Sequence, residues 1–239
     1  MSLIRFVCIV VVAVAGLSFK QVPGSNPASG GPTAHKAGDD LTITYTIELT
    51  KARKKSIGIG ETYNGGTKTI FMSNGLARLR LVSLMRMQSI FILPPGNEER
   101  MAAIVKESGK NKNKVYLTAA QWKQYNAKYD QAACRLLDDT TVISGFPCNK
   151  AIITLADGRN ITAFYTKQIQ RSELAAVEPL FTCIPGLVLK YTYEYKKGKI
   201  TYTATAVSRK QIDQGILKVP SKGYAEQPYQ SSSANEDKN

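Results

Sequence analysis

The segment from Phe181 to Tyr191 constrains the fold more than any other part of the chain. It reads Phe-Thr-Cys-Ile-Pro-Gly-Leu-Val-Leu-Lys-Tyr. A Pro-Gly step favours a type II turn, because Pro presets φ and Gly accepts a positive φ. A strand with apolar odd positions follows directly, so the segment predicts a β architecture. It contains no catalytic group.

Alternating patterns elsewhere predict further strands. From Leu41 to Leu49, apolar and polar residues alternate with period two, which is typical of a strand with one buried face. Asn74-Gly75 and Asp157-Gly158 are typical turn dipeptides. The second of these joins a strand over 150–156 to one over 159–166. We therefore expect a single domain that is mainly β.

A second C-terminal hairpin is predicted at Lys197-Gly198. A two-residue loop there would pair Tyr193 with Tyr202 and Tyr191 with Ala204. The alternation then places one apolar and aromatic row on a single strand face. That face needs a helix, another sheet or a ligand to cover it. The row comprises Leu187, Leu189, Tyr191, Tyr193 and Tyr195.

One helix is predicted after Thr118. Thr118 can cap it, and Gln121 stands three residues later, as a capping box requires. Trp122, Tyr125 and Tyr129 recur at helical spacing and would form one face, with Ala133 at its end. That aromatic face serves either core packing or ligand contact.

The two termini have the composition of processed or unstructured segments. Residues 1–15 read as a signal peptide, with Arg5 before an apolar run and a small-residue cleavage site near Ala15. An uncleaved anchor is the alternative. We expect a flexible linker over 16–40, one β-rich domain over 41–226 and a disordered tail over 227–239. The protein would then be periplasmic or otherwise exported.

Three cysteines follow the predicted signal peptide. If a hairpin were centred near Thr141, Cys134 and Cys148 would lie opposite each other and could form a disulfide. Cys148 with Cys183 is the rival bridge, and three free buried thiols are the remaining alternative.

The sequence argues against catalysis and metal binding. His35 is the only histidine and lies in a Gly/Pro-rich segment, and no C-x-x-C spacing occurs. This composition disfavours Ser-His-Asp and Cys-His catalysis and zinc sites. Adjacent acids at Asp138-Asp139 are typical turn formers. We expect no enzymatic activity, no metal and no cofactor.

The net charge of +14 at pH 7 suits an anionic partner. An anionic membrane surface, lipopolysaccharide or an acidic protein would fit, as would a role in solubility alone. The export signal argues against nucleic acid. The basic residues Lys110, Lys112 and Lys114 fall in a stretch that we expect to be an exposed hairpin loop.

A series of motifs resembles the GLPGLI family of exported proteins from Bacteroidetes-type bacteria. The matching stretches are residues 139–151, 163–169 and 178–189, in the family's order and spacing, over roughly Asp139 to Ile212. Ile184, Pro185, Gly186 and Leu187 fall on the family's name motif. Glu178 stands where the family has Gly, and Cys183 replaces the first Gly of the name motif.

The resemblance implies a fold similar to LolA and LolB. This is a mainly β (α+β) fold in which a curved antiparallel sheet forms an open barrel or half-barrel, here with one main helix packed in its concave side. An apolar concavity would then hold a lipid, a lipoprotein acyl chain or another amphiphile. For any single lining candidate, ordinary core packing is the more usual role. The candidates are Trp122, Tyr165, Phe181, Leu189, Tyr191 and Tyr193.

Two functions follow from these expectations. The first is an exported, non-enzymatic envelope protein that binds a lipid or a lipid-modified partner. The alternative is an envelope interaction or sensor module that binds another protein and has no small ligand.

Overall fold

The computed structural model describes residues 40–51, 62–94, 100–195 and 198–231. The predicted signal peptide (residues 1–15) lies outside these ranges. So do residues 16–39 of the predicted linker and residues 232–239 of the predicted tail. None of the helices in the described ranges is long and apolar enough to cross a membrane.

Twelve strands form one open, curved sheet, as the sequence predicts. Their order across the sheet is β12-β6-β5-β4-β3-β2-β1-β11-β10-β9-β8-β7. Neighbouring strands are antiparallel, except that β12 runs parallel to β6. The strands are β1 (Leu41–Lys51), β2 (Thr67–Ser73), β3 (Leu76–Val82), β4 (Arg86–Ile92), β5 (Arg100–Ser108), β6 (Asn111–Thr118), β7 (Ala133–Ile143), β8 (Phe146–Thr154), β9 (Asn160–Thr166), β10 (Leu187–Tyr195), β11 (Gly198–Ser208) and β12 (Ala225–Glu226).

Strand β1 lies in the middle of the sheet and shows why the alternating pattern folds this way. Leu41, Ile43, Tyr45 and Ile47 are at most 3% exposed, whereas the threonines between them are half-buried. Burying one row of side chains per strand is the main hydrophobic stabilisation of a half-covered sheet.

Two short helices cover part of the sheet. Helix α1 (Ala119–Tyr125) begins at Thr118 with the predicted capping box, in which Thr118 and Gln121 bond each other's backbone N–H. It packs on β5 and β6, and ends before Tyr129, which belongs to a separate 3₁₀ turn. Helix α2 (Ser172–Val177), which we did not predict, packs on β3 and β4.

The predicted C-terminal hairpin forms with a different register. Tyr191 pairs with Tyr202 and Tyr193 with Ile200, because the connection occupies residues 196–197 and Gly198 already pairs with Tyr195. The predicted pairs Tyr193–Tyr202 and Tyr191–Ala204 are therefore wrong by two residues. Since side chains alternate with period two, a two-residue shift leaves each of them on the predicted face.

The predicted bridge between Cys134 and Cys148 is wrong, as is the rival between Cys148 and Cys183. The β7–β8 turn lies at Ser144-Gly145, both with positive φ, and not near Thr141. Cys148 consequently pairs with Thr141, and Cys134 pairs with Ile153. The disulfide joins Cys134 to Cys183, with 6.2 Å between their Cα atoms, and Cys148 is a buried free thiol whose pKa is raised by burial.

Removing this bridge with Cys134→Ala and Cys183→Ala should lower the free energy of unfolding by about 2–4 kcal/mol. The bridge closes a loop of 49 residues, so its loss adds conformational freedom to the unfolded chain. Urea denaturation measures the change. Cys148→Ala, which keeps the bridge, is the control and should cost about 1 kcal/mol; an equal loss in both variants would contradict the assigned pairing.

The C-terminal segment covers the opposite face of β4 and β5. Phe91, Ala103 and Val105 are buried there against Val219 and Tyr224. Gln227 donates its backbone N–H to the carbonyl of Lys114, which carries the pairing of β12 one residue into the predicted tail.

The basic stretch that we expected to be a loop belongs to β5 and β6, with only Gly109 and Lys110 in the turn. The ammonium of Lys112 lies 3.2 Å from the carboxylate of Glu107. That of Lys114 lies 3.7 Å from the carboxylate of Glu226. Lys112 and Lys114 of this basic stretch are therefore charge-paired.

Candidate functional site

A cleft of about 350 Å³ lies between helix α2, the 3₁₀ turn Pro179–Phe181 and the start of β10. It adjoins the Pro-Gly turn at Pro185 and Gly186. Its lining combines apolar and polar side chains, so it has the mixed character of a ligand site. The lining residues are Gln170, Arg171, Ser172, Leu174, Ala175, Glu178, Phe181, Thr182, Ile184, Pro185, Gly186, Leu187 and Val188.

The Pro-Gly turn forms one wall of the cleft and needs glycine at its second position. Gly186 has φ of +147°, in the region that favours glycine. A Cβ atom at this position would lie 2.1 Å from the carbonyl oxygen of Thr166. Gly186 thus lets the turn lie directly against the end of β9, while Ile184 and Leu187 anchor it in the core at 7% and 1% exposure.

Glu178, in the other wall, forms a buried ion pair with a lysine that lies behind it and does not line the cleft. The ammonium of Lys68, on β2, lies 2.5 Å from a carboxylate oxygen of Glu178, which caps the C-terminus of α2. The Lys68 side chain is 2% exposed and the Glu178 side chain is 14% exposed. Lys68 pairs with Tyr45 in the sheet, so the two buried side chains lie on the same face.

Three tyrosines surround the Lys68 ammonium. The nitrogen lies 4.5 Å from the ring centre of Tyr45, 4.7 Å from that of Tyr191 and 5.7 Å from that of Tyr202. Aromatic faces attract cations at these distances, and more strongly where water is excluded. Lys68 also donates a 3.1 Å hydrogen bond to the hydroxyl of Tyr191. We call Lys68, Glu178 and these three tyrosines the lysine cage.

The lysine cage adjoins the cleft at two points. Glu178 lines the cleft directly. Tyr45 donates its hydroxyl proton to the carbonyl of Val188, another cleft residue, at 2.7 Å. The rings of Tyr191 and Tyr202 are stacked 4.5 Å apart, and Phe181 contacts Tyr191 edge-on at 5.0 Å. The cleft and the cage are therefore parts of one packed unit.

Burial is the main cause of the pKa shifts in the lysine cage. It raises the pKa of Tyr45 and of Tyr191 well above the ordinary value, and the negative charge of Glu178 adds to the rise. It raises the pKa of Tyr202 to about 12. Burial lowers the pKa of Lys68, whereas the charge and hydrogen bond of Glu178 oppose that change. Glu178 thus favours the charged form of Lys68 against the effect of burial.

A second charge pair lies at the cleft. Arg171, 19% exposed, places its guanidinium 2.7 Å from the carboxylate of Glu173 on α2. The pKa of Glu173 is lowered: burial raises it, but hydrogen bonds from Arg171, the backbone and Ser172, together with the charge of Arg171, lower it by more. The positive charge of Arg171 is therefore compensated within the protein.

The structure divides the six predicted lining residues between two core clusters. Trp122 and Leu189 belong to one, whereas Tyr165, Phe181, Tyr191 and Tyr193 belong to the other. The pairing of β10 with β9 is irregular between Val188 and Lys190, so the predicted single apolar row is interrupted at Leu189. The prediction that Leu187 and Leu189 share one strand face with Tyr191 and Tyr193 is therefore wrong.

Three of these six residues reach a cleft. Phe181 lines the larger one. Trp122 and Tyr193 line a smaller cleft of about 150 Å³ between α1 and the 3₁₀ turn, where Glu178 is also found. Tyr165, Leu189 and Tyr191 are at most 4% exposed and line neither cleft; Tyr191 instead contacts Lys68 in the lysine cage.

Neither Lys68 nor the pairing role of Glu178 is predicted from the sequence patterns above. Lys68 stands two positions before Ile70 and four before Met72, so the period of β2 already placed it on the buried face. Glu178 was noted only as a departure from the family pattern. A lysine in an apolar row and an unexpected acid elsewhere were the two signals that could have suggested a buried pair. Among the described residues, no cluster of histidine, cysteine and acidic side chains could hold a metal ion.

No family model matches the sequence, and comparison with characterised proteins gave no match. Among solved structures, the chain is similar to PNGF-II, with 16% identity and a TM-score of 0.48, over 83% of this chain and 33% of that one. It is also similar to MucB, with 15% identity and a TM-score of 0.36, over 77% of this chain and 58% of that one. In the complex of MucA and MucB from Pseudomonas aeruginosa, the match has 14% identity and a TM-score of 0.29, over 76% of this chain and 56% of that one.

The chain thus spans about a third of the PNGF-II chain that it matches. At TM-scores below 0.5, these similarities carry no argument about ligand or activity. The GLPGLI resemblance stays a prediction from the motifs, while the open curved sheet that it implied is what the structure shows.

Proposed function

We propose that this chain is an exported, non-enzymatic binding protein of the cell envelope that holds an amphiphile in the cleft beside Pro185-Gly186. The observation that carries the proposal is the cleft itself, about 350 Å³ in volume, with an apolar wall and polar side chains around it. Volumes of about 300–1,000 Å³ are usual for small-molecule sites.

The chemistry of the lining favours a ligand with an apolar part and a polar part. Leu174, Phe181, Ile184, Leu187 and Val188 offer apolar contact. Gln170, Arg171, Ser172 and Glu178 offer hydrogen bonds and charge. A small volume favours one acyl chain over a two-chain lipid. A free fatty acid and the acyl chain of a lipid-modified partner are the ligands we propose.

The compartment and the lack of catalysis are parts of the same proposal. Oxidising compartments permit structural disulfides, and the bridge between Cys134 and Cys183 supports export. The non-enzymatic role rests on the sequence, which has one histidine and no nucleophile motif. An anionic membrane surface is a suitable docking partner for a chain with a net charge of +14.

Filling the cleft tests the proposal. Ala175 is exposed on α2 and lines the cleft, so Ala175→Trp should place an indole in the space where the ligand sits. We expect a loss of affinity of about tenfold or more for dodecanoic acid, measured by calorimetry on delipidated protein. Ala120→Trp, at an exposed alanine of α1, is the matched control and should bind normally.

Equal affinity in both variants would contradict binding in this cleft. Absence of binding in the wild-type protein would favour the second candidate, an interaction module for another protein. The observation in favour of that candidate is the turn between β3 and β4, where Leu84 and Met85 are 88% and 64% exposed. Exposed apolar side chains of this kind can mark contact surfaces.

A further inference from the structure

Lys68 and Glu178 are arranged as a buried cation whose counter-ion stands on the wall of a ligand cleft. The cation is fixed in the sheet, while the anion ends a helix of six residues and lines the cleft. If the ion pair served only to join α2 to the sheet, the Glu178 carboxylate would not need to lie at the cleft surface. This placement therefore calls for an explanation of its own.

We propose that Glu178 occupies the place of a ligand's anionic group, and that an acidic amphiphile bound in the cleft pairs its carboxylate with Lys68 while Glu178 turns away. This inference rests on the proposed function and names its ligand class: single-chain amphiphiles with an anionic head. Lys68 becomes the residue that determines specificity, and Glu178 becomes the competitor that the ligand displaces.

The geometry permits the exchange. The Glu178 side chain is 14% exposed, lines the cleft and contacts Lys68, whereas Lys68 is 2% exposed and does not line the cleft. Glu178 has φ of −132° and ψ of 75°, so it lies outside the regular helix. Its backbone N–H is bonded to the carbonyl of Leu174 and its carbonyl accepts from Phe181, which leaves the side chain to change rotamer without altering either bond.

The energetics make the exchange selective for anions. A buried ammonium without a counter-charge is strongly unfavourable, so Glu178 can leave only if another negative group arrives. A ligand carboxylate restores the pair, while the displaced Glu178 regains hydration at the cleft. A neutral head group of the same size offers no such compensation and has to bind without disturbing Glu178.

The cage keeps the cation in place during the exchange. Tyr191 accepts a hydrogen bond from Lys68, and Tyr45 is tied to Val188 through its hydroxyl. Neither contact involves Glu178, so both persist when its carboxylate moves. The tyrosine rings thus hold the ammonium aimed at whichever carboxylate is present.

The other cation of the cleft is a suitable internal control. The guanidinium of Arg171 lies 2.7 Å from the carboxylate of Glu173, and the Arg171 side chain is more exposed than that of Lys68. If any positive side chain at the cleft attracted the anion, removing Arg171 would reduce the preference as much as removing Lys68. If Lys68 receives the anion, Arg171→Gln should leave most of the preference intact.

The test compares dodecanoic acid with dodecanol, which have the same chain and differ in head-group charge. Calorimetry on delipidated protein should give the acid about tenfold higher affinity in the wild type. Lys68→Met should make the two affinities equal. Glu178→Gln should raise the affinity for the acid by about tenfold and leave that for the alcohol unchanged, because the internal competitor is gone.

Each other outcome overturns a specific statement. Binding of neither ligand to the wild type contradicts the proposed function itself. Equal binding of both contradicts only the anion preference, as does a Glu178→Gln variant that weakens both ligands alike. If Glu178→Gln does not fold, Glu178→Asp shortens the same carboxylate by one methylene and should shift the affinity for the acid in the same direction, and an unchanged affinity would overturn the displacement.

Discussion

Glu178→Gln is expected to lower the free energy of unfolding by about 3–5 kcal/mol, the usual cost of removing one partner from a buried ion pair. The substitution keeps the size of the side chain but leaves the Lys68 ammonium without its counter-charge among three tyrosine rings. Lys68→Met should cost less, since Glu178 is 14% exposed and can hydrate at the cleft.

Two further variants separate charge from packing. Lys68→Met combined with Glu178→Leu removes both charges and should lie within about 1 kcal/mol of the wild type, because an apolar replacement of a buried pair is often neutral. Glu194→Gln breaks the exposed pair with Lys199, whose side chains are 61% and 56% exposed, and should cost less than about 1 kcal/mol. Urea denaturation measures all four. A Glu178→Gln loss no larger than that of Glu194→Gln would contradict the buried pair.

The pH dependence of Glu178→Gln has a definite sign. Burial lowers the pKa of Lys68, and the variant removes the carboxylate that opposes this. Between the lowered pKa and the ordinary value of about 10.4, the unfolded state binds more protons than the folded state. The free energy of unfolding of the variant should therefore rise with pH across this window, more steeply than that of the wild type. If the free energy of unfolding of the variant fell with rising pH below about pH 10, where tyrosine begins to ionise, this prediction would be contradicted.

Gly186→Ala is the second substitution with a large expected effect, a loss of about 2–6 kcal/mol from backbone strain and overpacking together. Its Cβ atom would lie 2.1 Å from the carbonyl oxygen of Thr166, and backbone atoms of β9 cannot yield without breaking the sheet. The loss should also remove ligand binding, since the turn forms one wall of the cleft.

Gly158→Ala is the matched control for that variant. Gly158 also has a positive φ, of 79°, but its Cβ atom would meet nothing within 4 Å. It should therefore show only the conformational cost, about 1–2 kcal/mol. Thermal and urea unfolding compare the two variants, and equal losses would mean that the contact with Thr166 has no energetic role.

Local rules predicted the parts of this fold that local interactions decide. The alternation of β1, the capping box of α1 and the turn at Asp157-Gly158 each depend on residues close together in the chain. The register of β10 on β11 could not be fixed in the same way, because it depends on the length of the connection at residues 196–197.

Long-range contacts decided the rest. Cys183 meets Cys134 because the 3₁₀ turn Pro179–Phe181 carries it to the strand β7, a path that no spacing rule encodes. Helix α2 has six residues and forms through packing on the sheet, since so short a helix is unstable alone. The lysine cage joins β1, β2, β10 and β11 to the end of α2, so the sequence offered only two signals of it, a charge in an apolar row and an unexpected acid.

Photo-crosslinking tests the central claim, that a ligand lies in the cleft between α2 and the Pro-Gly turn, most directly. Delipidated protein would be irradiated with a fatty acid that carries a diazirine on its chain, and the labelled peptides identified by mass spectrometry. The account predicts labels within residues 170–188, which contain the cleft, and their loss in Ala175→Trp. Labels concentrated elsewhere in the chain, or unchanged labelling in Ala175→Trp, would contradict it.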